Sequence, residues 1–241
     1  MDRERINLFC IPFAGGSRYS YRDFAGHVAD FVNVVPVELP GRGSRFSEPL
    51  LTDMHALALD VFEQVKPDLN RPYAIYGHSM GGTIGYLLMN HIRSVRMPLP
   101  VHFFVSGRSG PSCKRKILYS RVIDEIGVAN WLRGFEGTPG EVLEDESLME
   151  IFAPVISADI QAVDNYEHRE IELLNVPITV MVGLNDGTTT IEEASAWRRE
   201  TARTIKIEKF PGGHFFVFQN LPGIGRTISD ALEGYAGKIR D

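Results

Sequence analysis

The strongest chemical signal is Gly77-His78-Ser79-Met80-Gly81, followed at once by Gly82. It fits G-x-S-x-G, and its flanks fit too. Apolar Tyr73–Tyr76 (YAIY) precedes it and the helical pattern TIGYLLMNHI follows. A strand that enters a helix through so sharp a turn lifts the serine hydroxyl above the strand end. Glycine flanks the serine because side chains there would collide across the turn. A helix starting at Met80 aims its free N–H groups and its positive end at the space beside Ser79. The expected chemistry is nucleophilic attack by the Ser79 hydroxyl, with a covalent intermediate.

A serine hydroxyl is a weak nucleophile until a base takes its proton. Of the seven histidines, His214 is the candidate. It sits in Pro211-Gly212-Gly213-His214-Phe215-Phe216, directly after the last expected strand. Loops at the carboxyl ends of strands are where an open α/β sheet builds its site. His27, His55 and His91 fall in helical patterns, His102 in a strand, and His168 at the end of a helical stretch. His78 adjoins the nucleophile but points elsewhere on the turn.

The base in turn needs an acceptor that fixes its tautomer and steadies its positive charge. Asp186, in Gly183-Leu184-Asn185-Asp186-Gly187, follows the expected strand Ile178–Gly183. Asp159 and Asp164 are rival acids, carried on helical patterns. The first strand runs into Pro12-Phe13-Ala14-Gly15-Gly16, a turn whose glycines admit close approach of backbone N–H groups. The N–H groups of Ala14 and Met80 are the candidates for an oxyanion hole, which receives the charge of a tetrahedral intermediate. The same turn does not read as a phosphate cradle, since it lacks Lys-Ser/Thr and is no G-x-G-x-x-G. No metal spacing such as H-E-x-x-H occurs, and no cofactor is expected.

The elements that must hold these residues follow from the hydrophobic pattern. Short apolar runs occur at Ile6–Pro12, Val34–Leu39, Tyr73–Tyr76, Val101–Ser106, Ile178–Gly183 and Ile205–Phe210. Several are continuous, which suits strands covered on both faces. Helical patterns near 20–31, 53–66, 80–93, 191–203 and 222–238 alternate with them. The expected class is α/β: a mostly parallel sheet with helices on both faces. Residues 107–170 break the rhythm. They begin with a basic turn segment and continue as helical patterns near 118–134 and 145–165, split by Gly134, Gly137, Pro139 and Gly140. They read as a helical insertion within one domain spanning 1–241.

Composition narrows the classes. The 241 residues are 44% hydrophobic and 23% charged, which excludes a disordered, collagenous or coiled-coil chain. Lys and Arg number 25 against 31 Asp and Glu, a net charge of −6 that disfavours a nucleic-acid binder. Two cysteines, Cys10 and Cys113, make no disulfide framework. No apolar run approaches the ~20 residues of a membrane span, and the amino-terminal stretch does not read as a signal peptide. A cytoplasmic protein with no membrane attachment is expected.

At these residues the sequence resembles the type II thioesterases, free-standing α/β-hydrolases that accompany nonribosomal peptide synthetases and polyketide synthases. The resemblance runs through FCIPFAGGS at 9–17, ELPGRGSRFSEP at 38–49, YGHSMGG at 76–82, FAPVISADIQAVDNYE at 152–167 and FPGGHFF at 210–216. The chain order Ser79, Asp186, His214 is that of α/β-hydrolases. The resemblance implies that these three are the catalytic triad and that Ala14 and Met80 form the oxyanion hole. It implies hydrolysis of stalled or misloaded acyl groups from the phosphopantetheine arm of carrier proteins, which would be transient partners of a monomer. It also implies that 107–170 is a lid over an acyl pocket. Its apolar residues Ile117, Leu118, Ile123, Trp131, Leu132, Phe135, Leu148, Phe152 and Ile156 then divide between packing and the acyl channel. The acid loop GLNDGTTT departs from many relatives, which carry an extra acidic residue and a proline there.

Arg42 and Arg45 have two readings: solvated side chains of a turn, or contacts to the arm's phosphate. Lys114-Arg115-Lys116 is either a solvated triplet or a face for an acidic carrier. Two alternative functions stand beside the first. One is a general carboxylesterase or lipase on the same fold. The other is a catalytically dead hydrolase serving as a binding module.

Overall fold

A computed structural model describes residues 5–113, 117–135, 140–169 and 171–236. Among the described residues six strands, β1 (Ile6–Ile11), β2 (Val32–Pro36), β3 (Tyr73–His78), β4 (His102–Ser106), β5 (Ile178–Gly183) and β6 (Ile205–Phe210), form one sheet. Its order is β2-β1-β3-β4-β5-β6, and every pairing is parallel. The continuous apolar runs have the expected cause. Along β1, Phe9 and Ile11 face one core while Ile6, Leu8 and Cys10 face another. Along β3, Tyr73 and Ile75 face the first core, Ala74 and Tyr76 the second. Both faces are dry, so both side-chain sets are apolar.

The first core is closed by α1 (Met54–Val65) and α2 (Met80–Ser94), through residues such as Leu57, Val61, Ile84 and Leu88. Asp53 caps α1 by accepting the Ala56 N–H at 2.8 Å. The second core is closed by α8 (Phe216–Gln219) and α9 (Leu221–Ala236), with Ile224, Ile228 and Leu232 recurring at helical spacing. Between β4 and β5 lie α3 (Tyr119–Ile126), α4 (Val128–Arg133), α5 (Gly140–Glu144) and α6 (Glu146–Asn165). Ile123, Ile156 and Ile160 form a third, smaller core there, on which Ala14 also packs.

Four expectations need correction. Residues 20–31 form no α-helix. They make two 3-10 turns, Arg18–Tyr21 and Phe24–Gly26, that push the rings of Tyr21 and Phe24 into the second core. The following Val32–Pro36 run then pairs with β1 from Ile6↔Val32 onward, so β2 starts and ends earlier than expected. The pattern near 191–203 is a short helix, α7 (Ile191–Ser195), and a 3-10 turn. Beyond it, the Thr201 hydroxyl donates to the Val176 carbonyl at 2.6 Å, beside an isolated parallel bridge between Leu174 and Thr201. The pattern near 118–134 is two helices rather than one. Gly127 separates them at φ +80°, a conformation that breaks the α ladder.

Candidate active site

The elbow is built by collision avoidance. Ser79 sits at φ 52° and ψ −116°, a strained conformation for a residue with a side chain. A Cβ on Gly77 would lie 2.3 Å from the Gly81 carbonyl oxygen, and one on Gly81 2.2 Å from that of Ile11. Nothing larger than glycine fits at either place. The elbow is fixed further by the Ser79 N–H, which donates to the Ser106 carbonyl at 2.8 Å. The close approach of Gly81 to Ile11 and Pro12 also sets the Pro12–Gly16 turn against the elbow.

The acid and histidine loops are stitched to each other. Leu184 N–H donates to Phe210 and Asn185 N–H to Gly212, at 2.8 and 3.0 Å. This brings together residues far apart in sequence. His214 Nε2 is 3.0 Å from Ser79 Oγ, and His214 Nδ1 is 3.0 Å from Asp186 Oδ2. Carboxylates accept only, so Nδ1 carries the proton and Nε2 accepts the serine O–H. Thr188 adds a second clamp. Its backbone N–H and its hydroxyl donate to Asp186 Oδ1 at 2.8 and 2.7 Å, and its oxygen lies 2.9 Å from His214 Nδ1. Burial pushes the Asp186 carboxyl up, but His214 and Thr188 outweigh it, and the net shift is downward. Asp186 is therefore ionised at neutral pH, ready to steady an imidazolium.

The rival acids lie elsewhere. Asp164 accepts the Ser120 N–H at 2.7 Å, joining α3 to α6. Asp159 is fully buried in a bidentate pair with Arg42, at 2.6 and 2.7 Å. That pair also corrects both readings of Arg42, which is neither solvated nor open to a phosphate. Arg45 is likewise engaged, by Asp60, Glu48 and the Glu38 carbonyl. Lys114, Arg115 and Lys116 lie outside the described residues.

His78 does point away from Ser79. Its Nδ1 shares a hydrogen bond with Ser106 Oγ at 2.9 Å, and its ring stands 5.0 Å from that of His214. Burial, and then the neighbouring His214, hold it well below the ordinary histidine range, so it stays neutral. It forms an aromatic wall with Phe13 and Phe215 behind the catalytic-type ring. From the other side Phe135 comes within 5.9 Å of the His214 ring, and Trp131 packs on Phe135 at 4.7 Å.

Three neighbouring N–H groups are already engaged: Gly15 with Asp159, Gly16 with the Phe13 carbonyl, and Gly82 with the Ser79 carbonyl. Ala14 lies in the turn pressed against the elbow, and Met80 opens α2. Sequence reasoning missed Thr188, Ser106 and the Arg42–Asp159 pair. Thr188 carried a signal in its spacing, two residues after the acid, where an Asx-type turn closes.

The thioesterase domain family matches residues 6–232. The chain belongs to that family. The gramicidin S biosynthesis protein GrsT of Aneurinibacillus migulanus is 35% identical, over 90% of this chain and 84% of its own. Among solved structures, ClbQ from the colibactin nonribosomal peptide/polyketide pathway superposes with TM-score 0.88 at 29% identity. It covers 95% of this chain and 98% of its own. The type II thioesterase BorB from the borrelidin cluster gives TM-score 0.87 at 31% identity, covering 96% and 94%. This thioesterase is a hydrolase acting on thioester bonds, and its sheet is that of the α/β-hydrolase fold. Its homologues include proteins of nonribosomal peptide and polyketide pathways, among them the type II thioesterase BorB. No helix among the described residues is long and apolar enough to cross a membrane.

Proposed function

We propose that this thioesterase is an editing enzyme. It removes stalled or misloaded acyl groups from the phosphopantetheine arm of carrier proteins, by way of an acyl group on Ser79. The observation that carries the reading is the unbroken chain of 3.0 Å contacts from Ser79 through His214 to Asp186. Ser79 Oγ attacks the thioester carbon as His214 Nε2 takes its proton. The carbonyl oxygen becomes an oxyanion, received by the N–H groups of Ala14 and Met80. Collapse breaks the C–S bond, and the imidazolium returns the proton to the departing thiolate. Water, deprotonated by the same Nε2, then frees the acid and restores Ser79.

The side chains supply nucleophile, base and acid, so the reaction as written needs no cofactor or metal. The partners are acyl or peptidyl carrier domains, met transiently by a cytoplasmic monomer that binds neither nucleic acid nor membrane. The helices between β4 and β5 act as the lid of 107–170. Phe135 and Trp131 of that segment wall the His214 side of the site, which suits an acyl channel. An editing enzyme must accept many acyl groups, and a wall of adaptable apolar side chains serves that better than polar ones.

The test compares kcat/KM on an acyl-carrier thioester with that on a p-nitrophenyl ester of the same chain. Preference for the carrier substrate is expected. Preference for the simple ester would turn the reading into a carboxylesterase. Failure of Ser79 to react with a fluorophosphonate would leave a binding module. Lid variants at Trp131 or Phe135 are expected to alter the profile across short and long acyl chains.

A further inference from the structure

Between α6 and the oxyanion turn lies an ion pair that the proposed reaction does not use. Arg42 and Asp159 are 5% and 0% exposed, 117 residues apart in sequence. Burying two charges is unfavourable unless geometry and further hydrogen bonds compensate. Both compensations are present. The guanidinium meets the carboxylate with two parallel bonds, the strongest geometry for such a pair. Each partner also bonds the backbone of one short segment. Asp159 Oδ2 accepts the Gly15 N–H at 2.8 Å, and Arg42 Nη1 donates to the Gly16 carbonyl at 3.3 Å.

The Gly15 N–H belongs to the peptide that directly follows Ala14, and the Gly16 carbonyl lies two peptides further along the same turn. Gly15 has φ +77°, and a Cβ there would lie 2.7 Å from Ile156 Cγ1 of α6. The turn is thus pressed on by α6 and clamped by a carboxylate from the same helix. Arg42 Nε also donates to the Pro40 carbonyl, and the neighbouring Glu38 carboxylate ties two segments together by accepting the Ser44 N–H and the Arg18 N–H.

We infer that Arg42 and Asp159 are positioning residues for the reaction proposed above, holding the Pro12–Gly16 turn so that the Ala14 N–H meets the oxyanion. Neither touches substrate. They act through Gly15 and Gly16, and they tie α6 to the turnover of Ser79. An oxyanion donor removed outright costs ~10²–10³ in kcat. A donor displaced by about 1 Å costs up to ~10². Loosening the clamp is therefore expected to cost ~10- to 10²-fold.

Asp159→Asn keeps the shape and removes the charge. The expected result is kcat down ~10- to 10²-fold with KM nearly unchanged. A trifluoromethyl ketone that adds reversibly to Ser79 becomes an oxyanion in the same place. Its affinity should fall by the same factor, while a thioether analogue that cannot react should bind as before. Arg45→Gln breaks ion pairs in the same segment without touching the turn, and its kcat per folded molecule should match the parent. If Asp159→Asn does not accumulate, Arg42→Lys keeps a counter-charge and loses the fork, and the same ratios are read from it. A folded Asp159→Asn or Arg42→Lys protein with parental kcat and parental ketone affinity overturns the inference. So does an equal loss for ketone and thioether. The parent's own rate on the thioester reports separately on the function proposed above.

Discussion

Two turns frame the space around Ser79, and they are held in place by opposite means. The elbow between β3 and α2 is fixed from within. Its strained serine, its two glycines and the hydrogen bond to Ser106 belong to the turn or to adjoining strands. The Pro12–Gly16 turn has one bond of its own, Gly16 N–H to the Phe13 carbonyl, and is otherwise held from outside, by a carboxylate 144 residues away and an arginine 26 residues away. Sterics constrain both turns, at Gly77 and Gly81 in the elbow and at Gly15 in the other, and the second alone adds a buried charge pair from distant segments. Ser79 is thus held mainly by its own turn and the adjoining strand, and the Pro12–Gly16 turn by contacts that form only when the fold assembles.

The sharpest way to probe the elbow is to remove what it presents. Ser79→Ala should fold as the parent does and lose ~10⁴–10⁶ in kcat on an acyl thioester. Circular dichroism and steady-state rates on the same sample check both halves. A step down, the two buried carboxylates should separate. Asp186→Asn is expected to lower kcat by up to ~10⁴, because the imidazole loses its charged partner, whereas the same exchange at Asp159 costs the smaller factor given above. Reversal of that order would move the acid of the triad to α6. Smaller again is Thr188→Val. It deletes one hydroxyl shared by Asp186 and His214, worth about 0.5–1.5 kcal/mol, so kcat should fall ~2- to 10-fold with KM little changed.

The least effect is on stability. Asp186 titrates below the ordinary carboxylate value of about 3.9. Its folded-state preference for the ionised form therefore contributes fully above that value. The contribution is lost as pH falls through the lowered one. The gap in Tm between parent and Asp186→Asn should be widest near neutral pH and close below about pH 4. Scanning calorimetry across that range measures it, and a gap that widens in acid would reverse the sign assigned here.

The contrast between the turns also explains what sequence could and could not reveal. The elbow's cause lies in five consecutive residues, so Ser79 is visible at once. Asp186 and His214 each follow a strand, and strand ends are legible from apolar runs. The clamp is not legible in this way. Arg42 lies in a turn-like LPGRG and Asp159 on a helical face, and nothing in either neighbourhood points to the other. Read locally, Arg42 is a solvated or phosphate-seeking cation. Only the fold shows that its charge is spent inside. The false helix at 20–31 has a related origin. Its apolar residues serve the second core from 3-10 turns, and their spacing there mimics an α-helical stripe. The single helix read at 118–134 failed at Gly127, where one positive φ outweighs a favourable pattern on both sides.

The central claim is that the acyl group passes through Ser79. Rapid acid quench of the protein during turnover of an acyl-carrier thioester, followed by intact-mass measurement and peptide mapping, tests it directly. The expected result is a mass increase equal to the acyl group, located on Ser79, absent from Ser79→Ala and disappearing as the thioester is consumed. Sustained thioester hydrolysis by a folded Ser79→Ala protein, or an acyl adduct mapped to another residue, would contradict the account.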